Sequence, residues 1–187
     1  MDALAQLDEL MPQLMGIVDG ITAEQLGDPT PCASYDVRGV LEHMVGGAST
    51  FAPAFRGETP DPGGADAAAT ADVRDRWRAA MVDLGGAVQS HGAMERTIDS
   101  PFGPVPGADF ARYLAFDGLM HGWDLATATG QKFAPRDELV ASIATYARGL
   151  LTPEMRDGDT FAAETAPPPD ASPLERLVAF SGRTIPT

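Results

Sequence analysis

Apolar residues recur every three or four positions in several long stretches of the chain. Leu4, Leu7, Met11, Leu14 and Val18 form the first series, and Val37, Val40, Leu41, Met44, Ala48 and Phe51 the second. Val73, Trp77, Met81, Leu84 and Val88 form a third, and Leu139, Val140, Ile143, Tyr146 and Leu150 a later one. That spacing puts each series on one face of a helix. The punctuation agrees. Asp36 is placed to cap the second helix, and Gly130 to follow the fourth at C′. Ser172-Pro173-Leu174-Glu175 has the Ser, Pro and Glu of a helix start, and opens a short final helix with Leu177 and Val178. Pro12 predicts a kink or broken turn in the first helix, Pro53 an end or bend in the second, and Pro135 the start of the fifth. The fourth helix is expected to be capped at Asp109 or the residue before it, and to run to Thr129.

The connections are of two kinds. Gly57 to Asp66 and Asp157 to Asp170 read as turn-rich or proline-rich loops. The segment after Gly92 is short and broken by prolines, so an irregular or weakly β-paired excursion is expected there, as a lid or wall over a site. The predicted fold class is all-α: one domain over residues 1–187, built as a bundle of four main helices with accessory short ones.

The stretch from Phe116 to Gln131 departs from a simple apolar face. Asp117 and His121 are four apart, so on a helix they share a face, among Phe110, Tyr113, Leu114 and Leu125. Burying a carboxylate and an imidazole there is costly unless a partner satisfies them. Each other, a third side chain, a water or a metal ion would serve. His43 lies at the edge of the second helix's stripe, with Gly46 and Gly47 leaving little bulk beside it. Two imidazoles and a carboxylate suit zinc, iron, nickel or manganese, and three protein ligands leave coordination positions open. Against this stands the ordinary reading, in which Asp117 and His121 simply hydrogen-bond. Asp124, one turn beyond His121, is either an outer partner for an imidazole N–H or an acid near solvent, with a solvent-side or hydrogen-bonding role favoured. His91, at a helix end, reads as exposed or capping. Cys32 has no base partner in the sequence, which disfavours a catalytic thiol. Trp77 and Trp123 read as packing residues, Trp123 also as a pocket wall.

Composition narrows the function. The chain has 187 residues and a formal net charge of −14, a surface that repels phosphate backbones and anionic lipid. No apolar run reaches the length of a membrane span. One cysteine allows no internal disulfide, and the N-terminal stretch has no basic region of a signal peptide, so a cytoplasmic protein is expected.

Three segments, TPCASYDVRGVLEHMVGG, FDGLMHGWDLATATGQ and SPLERLVAFSGR, resemble the actinobacterial metal-binding proteins related to the N-terminal domain of mycothiol-dependent maleylpyruvate isomerase, within the DinB-like group. The resemblance spans nearly the whole chain in order. It implies a DinB-like four-helix bundle and a divalent metal, zinc first with nickel or iron as alternatives, held by His43, Asp117 and His121. Relatives often carry glutamate where this chain has Asp117, one methylene shorter. The isomerase's C-terminal domain has no counterpart here, so maleylpyruvate isomerisation itself is not expected. The resemblance implies instead a metal-dependent thiol transferase or isomerase-like enzyme, with mycothiol as a cosubstrate. A metal-dependent hydrolase and a non-catalytic metal-binding or structural bundle are the alternatives. The expected partners are a small-molecule thiol and an electrophile, with no nucleic acid, no membrane and a homodimer as the candidate assembly.

Overall fold

The structure, a computed structural model, describes residues 1–59, 71–156 and 161–186. Six α-helices account for most of them: α1 (Ala3–Asp19), α2 (Val37–Arg56), α3 (Val73–Val88), α4 (Gly107–Thr129), α5 (Asp137–Leu150) and α6 (Pro173–Phe180). A two-stranded antiparallel hairpin, β1 (Thr97–Ser100) and β2 (Gly103–Pro106), precedes α4 and pairs Ile98 with Val105. The fold is therefore the all-α bundle with a short β excursion that the sequence predicts. No helix among the described residues is long and apolar enough to cross a membrane.

Local chemistry explains most boundaries. Asp2, Asp36 and Asp72 accept backbone N–H bonds at the starts of α1, α2 and α3. The full capping box forms at α6, with Ser172 and Glu175 satisfying each other's amides. At the C-terminal ends of α2 and α4 the chain closes in the same paired pattern. Glu58 N–H donates to the Pro53 carbonyl and Gly57 N–H to Ala54, and Gln131 and Gly130 do the same to Ala126 and Thr127.

Four boundaries differ from expectation. α1 runs unbroken through Pro12. Asp8 and Pro12 are both exposed, so the carbonyl that loses its amide partner faces water. α2 likewise continues past Pro53 to Arg56. α4 starts at Gly107 after Pro106, ahead of Asp109, because the Gly107 and Ala108 amides donate to the Arg96 and Met94 carbonyls and fix the turn there. α5 starts at Asp137, two residues after Pro135. Residues 60–70, which hold most of the first expected loop, and residues 157–160, the start of the second, lie outside the described residues.

α4 is the central element. Every residue from Gly118 to Ala126 is buried, because α1, α2, α5 and the hairpin all pack around it. Its approach to α1 depends on two glycines. A methyl group added at Gly118 would sit 3.3 Å from Leu10 and Leu14, and one at Gly122 would fall 2.5 Å from Leu14 Cδ2 and 2.9 Å from the Phe133 ring. The smooth Gly118–Gly122 ridge is thus where α1 lies closest to α4.

Candidate metal centre

With α1 on its glycine ridge, α4 turns Asp117 and His121 towards α2, which supplies His43. Nε2 of His121 lies 3.5 Å from Asp117 Oδ1, and Nε2 of His43 lies 3.8 Å from the same oxygen. The two imidazole rings meet edge to face at 5.0 Å. One ligand atom from each of the three residues lies within 4.8 Å of the others. Exposure is graded: His121 is 6% exposed, Asp117 23% and His43 37%. The cluster is thus anchored at His121 and open at His43.

Neither contact of Asp117 is short enough for a good hydrogen bond. A tetrahedral zinc ion with bonds of 2.0–2.1 Å spaces its ligands about 3.3 Å apart, close to these separations. The residues fit a small divalent cation: three donors of the right chemistry face one volume, with the aspartate oxygen between the two nitrogens. The shorter side chain of Asp117, compared with glutamate, still reaches both.

The other edge of His121 is closed. Its Nδ1 is 3.0 Å from Asp124 Oδ2, and Asp124 is fully buried. Arg183 donates to both oxygens of that carboxylate, from Nε at 2.8 Å and from Nη2 at 2.7 Å. With Nδ1–H donating to Asp124, His121 keeps the lone pair of Nε2 directed at Asp117 and His43. Asp124 is therefore a buried hydrogen-bonding residue, and the solvent-side role is excluded.

Arg183 reaches Asp124 because of how α6 ends. Gly182 N–H donates to the Ala179 carbonyl and Arg183 N–H to Val178, which turns the chain sharply back. Gly182 has φ of 92°, and a Cβ there would lie 2.6 Å from the Ala162 carbonyl oxygen. Only glycine fits that turn without strain. A glycine directly after a capped helix was visible in the sequence, but nothing local linked Arg183 to an acid 59 residues earlier.

Charges within the cluster are strongly coupled. Burial pushes the Asp117 carboxyl up, but His121, His43 and Arg183 outweigh it and hold it below the usual range. Asp124 behaves alike: burial raises it, and the bonds from His121 and Arg183 bring it below its ordinary value. The Asp117 carboxylate holds the His43 imidazole above its ordinary value, against the effect of burial.

The loop before α2 completes the surroundings. Thr30 Oγ1 donates to the Tyr35 carbonyl at 2.6 Å and accepts from Cys32 N–H at 3.2 Å, closing a compact turn. The Tyr35 ring stacks on His43 at 5.3 Å. Cys32 joins His121 and Asp124 in a second set whose potential ligand atoms lie within 4.8 Å, a neighbourhood the sequence did not indicate. Burial first, then the charge of Asp124, pushes its thiol up, which does not favour a thiolate. His91 is exposed, and its carbonyl accepts from Arg96. Trp77 packs the core and donates to Met44 Sδ at 3.3 Å, and Trp123 is buried in α4.

Two cavities share His43, Tyr113 and Asp117. One, about 220 Å³, has Cys32, Ser34, Tyr35, His121 and Arg183 in its wall. The other, about 130 Å³, is lined mainly by apolar side chains of α1 to α4 and closed at one side by Pro101 at the hairpin tip. Phe102 beside it packs edge to face on Tyr113 at 5.0 Å. The excursion before α4 is thus a wall beside the cluster.

The fold and this cluster define a DinB-like helical bundle whose central helix offers an aspartate and a histidine to a histidine from a second helix. The chain belongs to the mycothiol maleylpyruvate isomerase N-terminal domain family, which it matches over residues 7–126. The family gives the chain a mycothiol-related, metal-binding character. Two uncharacterized proteins, from two strains of Mycobacterium tuberculosis, are each 34% identical over 194 aligned residues, covering 99% of this chain and 100% of the relative. No solved structure gave a significant match.

Proposed function

We propose that the chain is a metal-dependent thiol transferase, or an isomerase-like enzyme of the same chemistry, with His43, Asp117 and His121 as the ligands of a divalent ion, zinc first. The observation that carries this is the convergence of three unsaturated donors on one volume that opens into two cavities. A bound ion would supply Lewis acidity, lowering the pKa of a small thiol so that its thiolate meets an electrophile at neutral pH. The chain's residues do the rest. Asp124 and Arg183 fix the tautomer and orientation of His121, and Asp117 offsets positive charge between the rings. Tyr35 holds the His43 ring from outside. Ser34, Tyr35 and Arg183 give the larger cavity a polar wall, which suits a polar, mycothiol-type cosubstrate. The raised pKa of the Cys32 thiol favours an external thiol over Cys32 as the nucleophile.

Metal analysis of protein purified without an affinity tag, beside His43→Ala and His121→Ala, tests the ligand set. The wild type is expected to retain close to one equivalent and the variants almost none; equal metal in all three would exclude the site. Incubating the metal-loaded protein with electrophile alone, and with electrophile plus thiol, separates thiol transfer from water activation. Turnover is expected only with thiol. Consumption of electrophile without thiol would make the protein a hydrolase, and no turnover over a broad panel would make it a binder.

A further inference from the structure

We propose that the smaller, apolar cavity binds one compact hydrophobic arm of the substrate, a single ring or a chain of about five or six carbons, with the electrophilic carbon where that arm meets His43 and Asp117. This deepens the thiol-transfer reading and rests on it for the identity of the reacting end.

Size is the first support. The cavity measures about 130 Å³, and an apolar cavity of about 150 Å³ is known to stay dry and accept benzene. Its wall is the second. Met11, Met44, Met81, Phe51 and Leu114 come from four different helices, and His43 and Asp117 lie in the wall shared with the candidate metal centre. A ligand with charge at both ends would bury one charge against hydrocarbon without a partner. A molecule with one polarised end and one apolar arm has no such conflict. Three methionines make the wall adaptable, because the unbranched thioether fills irregular space.

The third support is Gly47, one turn after His43 in the interior of α2. It lines the cavity, and a Cβ there meets nothing within 4 Å. A glycine within a helix weakens it locally, and here no close neighbour requires it. At Gly122 on α4, by contrast, a methyl group would collide with Leu14 Cδ2 at 2.5 Å. One glycine lets two helices touch, and the other leaves room for something else.

The site is tested first without metal. Benzene is titrated into chelator-treated protein carrying ¹³C-labelled methionine methyl groups. Saturable shifts are expected at Met11, Met44 and Met81, but not at Met1 or Met94, which do not line the cavity. Gly47→Leu should remove those shifts while unfolding at or above the wild-type temperature. Absence of saturable shifts in the wild type, or undiminished shifts in Gly47→Leu, overturns the proposal whatever the metal analysis gives.

The second arm uses metal-loaded protein, 2-mercaptoethanol and two epoxides of similar intrinsic reactivity, 1,2-epoxyhexane and 1,2-epoxypropane. Sulfur bonds to the terminal carbon, the carbon–oxygen bond breaks, and the thiol proton ends on the released alkoxide. The longer epoxide is expected to have a kcat/KM at least about tenfold higher, since a methylene in an apolar pocket is worth about 10–200-fold. Gly47→Leu should bring the ratio near one. Turnover with equal kcat/KM for both epoxides in the wild type, or a ratio unchanged in Gly47→Leu, also overturns it. If neither epoxide reacts, the thiol-transfer reading fails at this step, and the benzene titration alone decides the cavity.

Discussion

Asp117 and Asp124 are the same residue type on the same helix, seven positions apart with His121 between them, yet their surroundings share little. Asp124 is fully buried, and both its oxygens accept from Arg183 while one also faces His121 Nδ1. Asp117 is 23% exposed, and its nearest partners are imidazole nitrogens at 3.5 and 3.8 Å. A carboxylate with its acceptor capacity filled holds its neighbours still. One with loose contacts to two imidazoles has capacity left for a further partner. Burial alone would rank the pair the wrong way round, since the more deeply buried acid is the less available one.

The largest expected effect separates the two by stability. Asp124→Ala strands the Arg183 guanidinium, only 11% exposed, and removal of one partner from a buried pair costs about 3–5 kcal/mol. Asp117→Ala should cost less than about 1 kcal/mol, because it breaks no short bond. Urea unfolding of metal-free protein measures both, and equal losses would break the contrast. Metal affinity should reverse the order. Competition with a chromophoric chelator is expected to find retention abolished in Asp117→Ala and weakened by about 10–100-fold in Asp124→Asn, the usual cost of losing an outer partner of a ligating histidine.

A smaller effect is expected at Gly182→Ala. Its left-handed backbone and the nearby Ala162 carbonyl should make it cost about 1–3 kcal/mol, and metal affinity should fall with it because Arg183 moves. Full metal affinity in a destabilised Gly182→Ala protein would detach the α6 turn from the site. The smallest effect is in the pH profile of metal-free protein. The Asp124 pKa is depressed on folding, so its contribution is present above the ordinary carboxylate range and lost as pH falls through the depressed value. The His43 pKa is raised, so its contribution has the opposite sense, present below the ordinary histidine value and lost as pH rises through the raised one. Asp124→Asn should flatten the acid limb, and His43→Ala the slight decline above neutrality. An unchanged acid limb in Asp124→Asn would count against the buried network.

Much of this was legible in the sequence because it is local. Asp36 and Ser172 are capping residues at the N-termini of their helices, and Gly130 follows the last turn of α4, so each marks a boundary by its own chemistry. His43, Asp117 and His121 stood out as polar residues on or beside apolar stripes, and the structure brings them together. The prolines misled where their lost hydrogen bonds fall on a solvated face, as at Pro12. Asp124 stayed open between an imidazole partner and an acid near solvent because α4 is buried from Gly118 to Ala126 on every side, so no period distinguishes an inner face from an outer one. Arg183 escaped because its role depends on a tertiary contact across 59 residues.

That long-range contact also sets an order of events during synthesis. The ribosome releases His43, Asp117 and His121 well before Arg183, so for a time all three donors exist in a chain whose Asp124 has no guanidinium to meet. Until α6 folds and its turn swings Arg183 inward, the carboxylate that orients His121 is itself unsupported. A nascent chain is therefore expected to bind metal more weakly before α6 docks than after it.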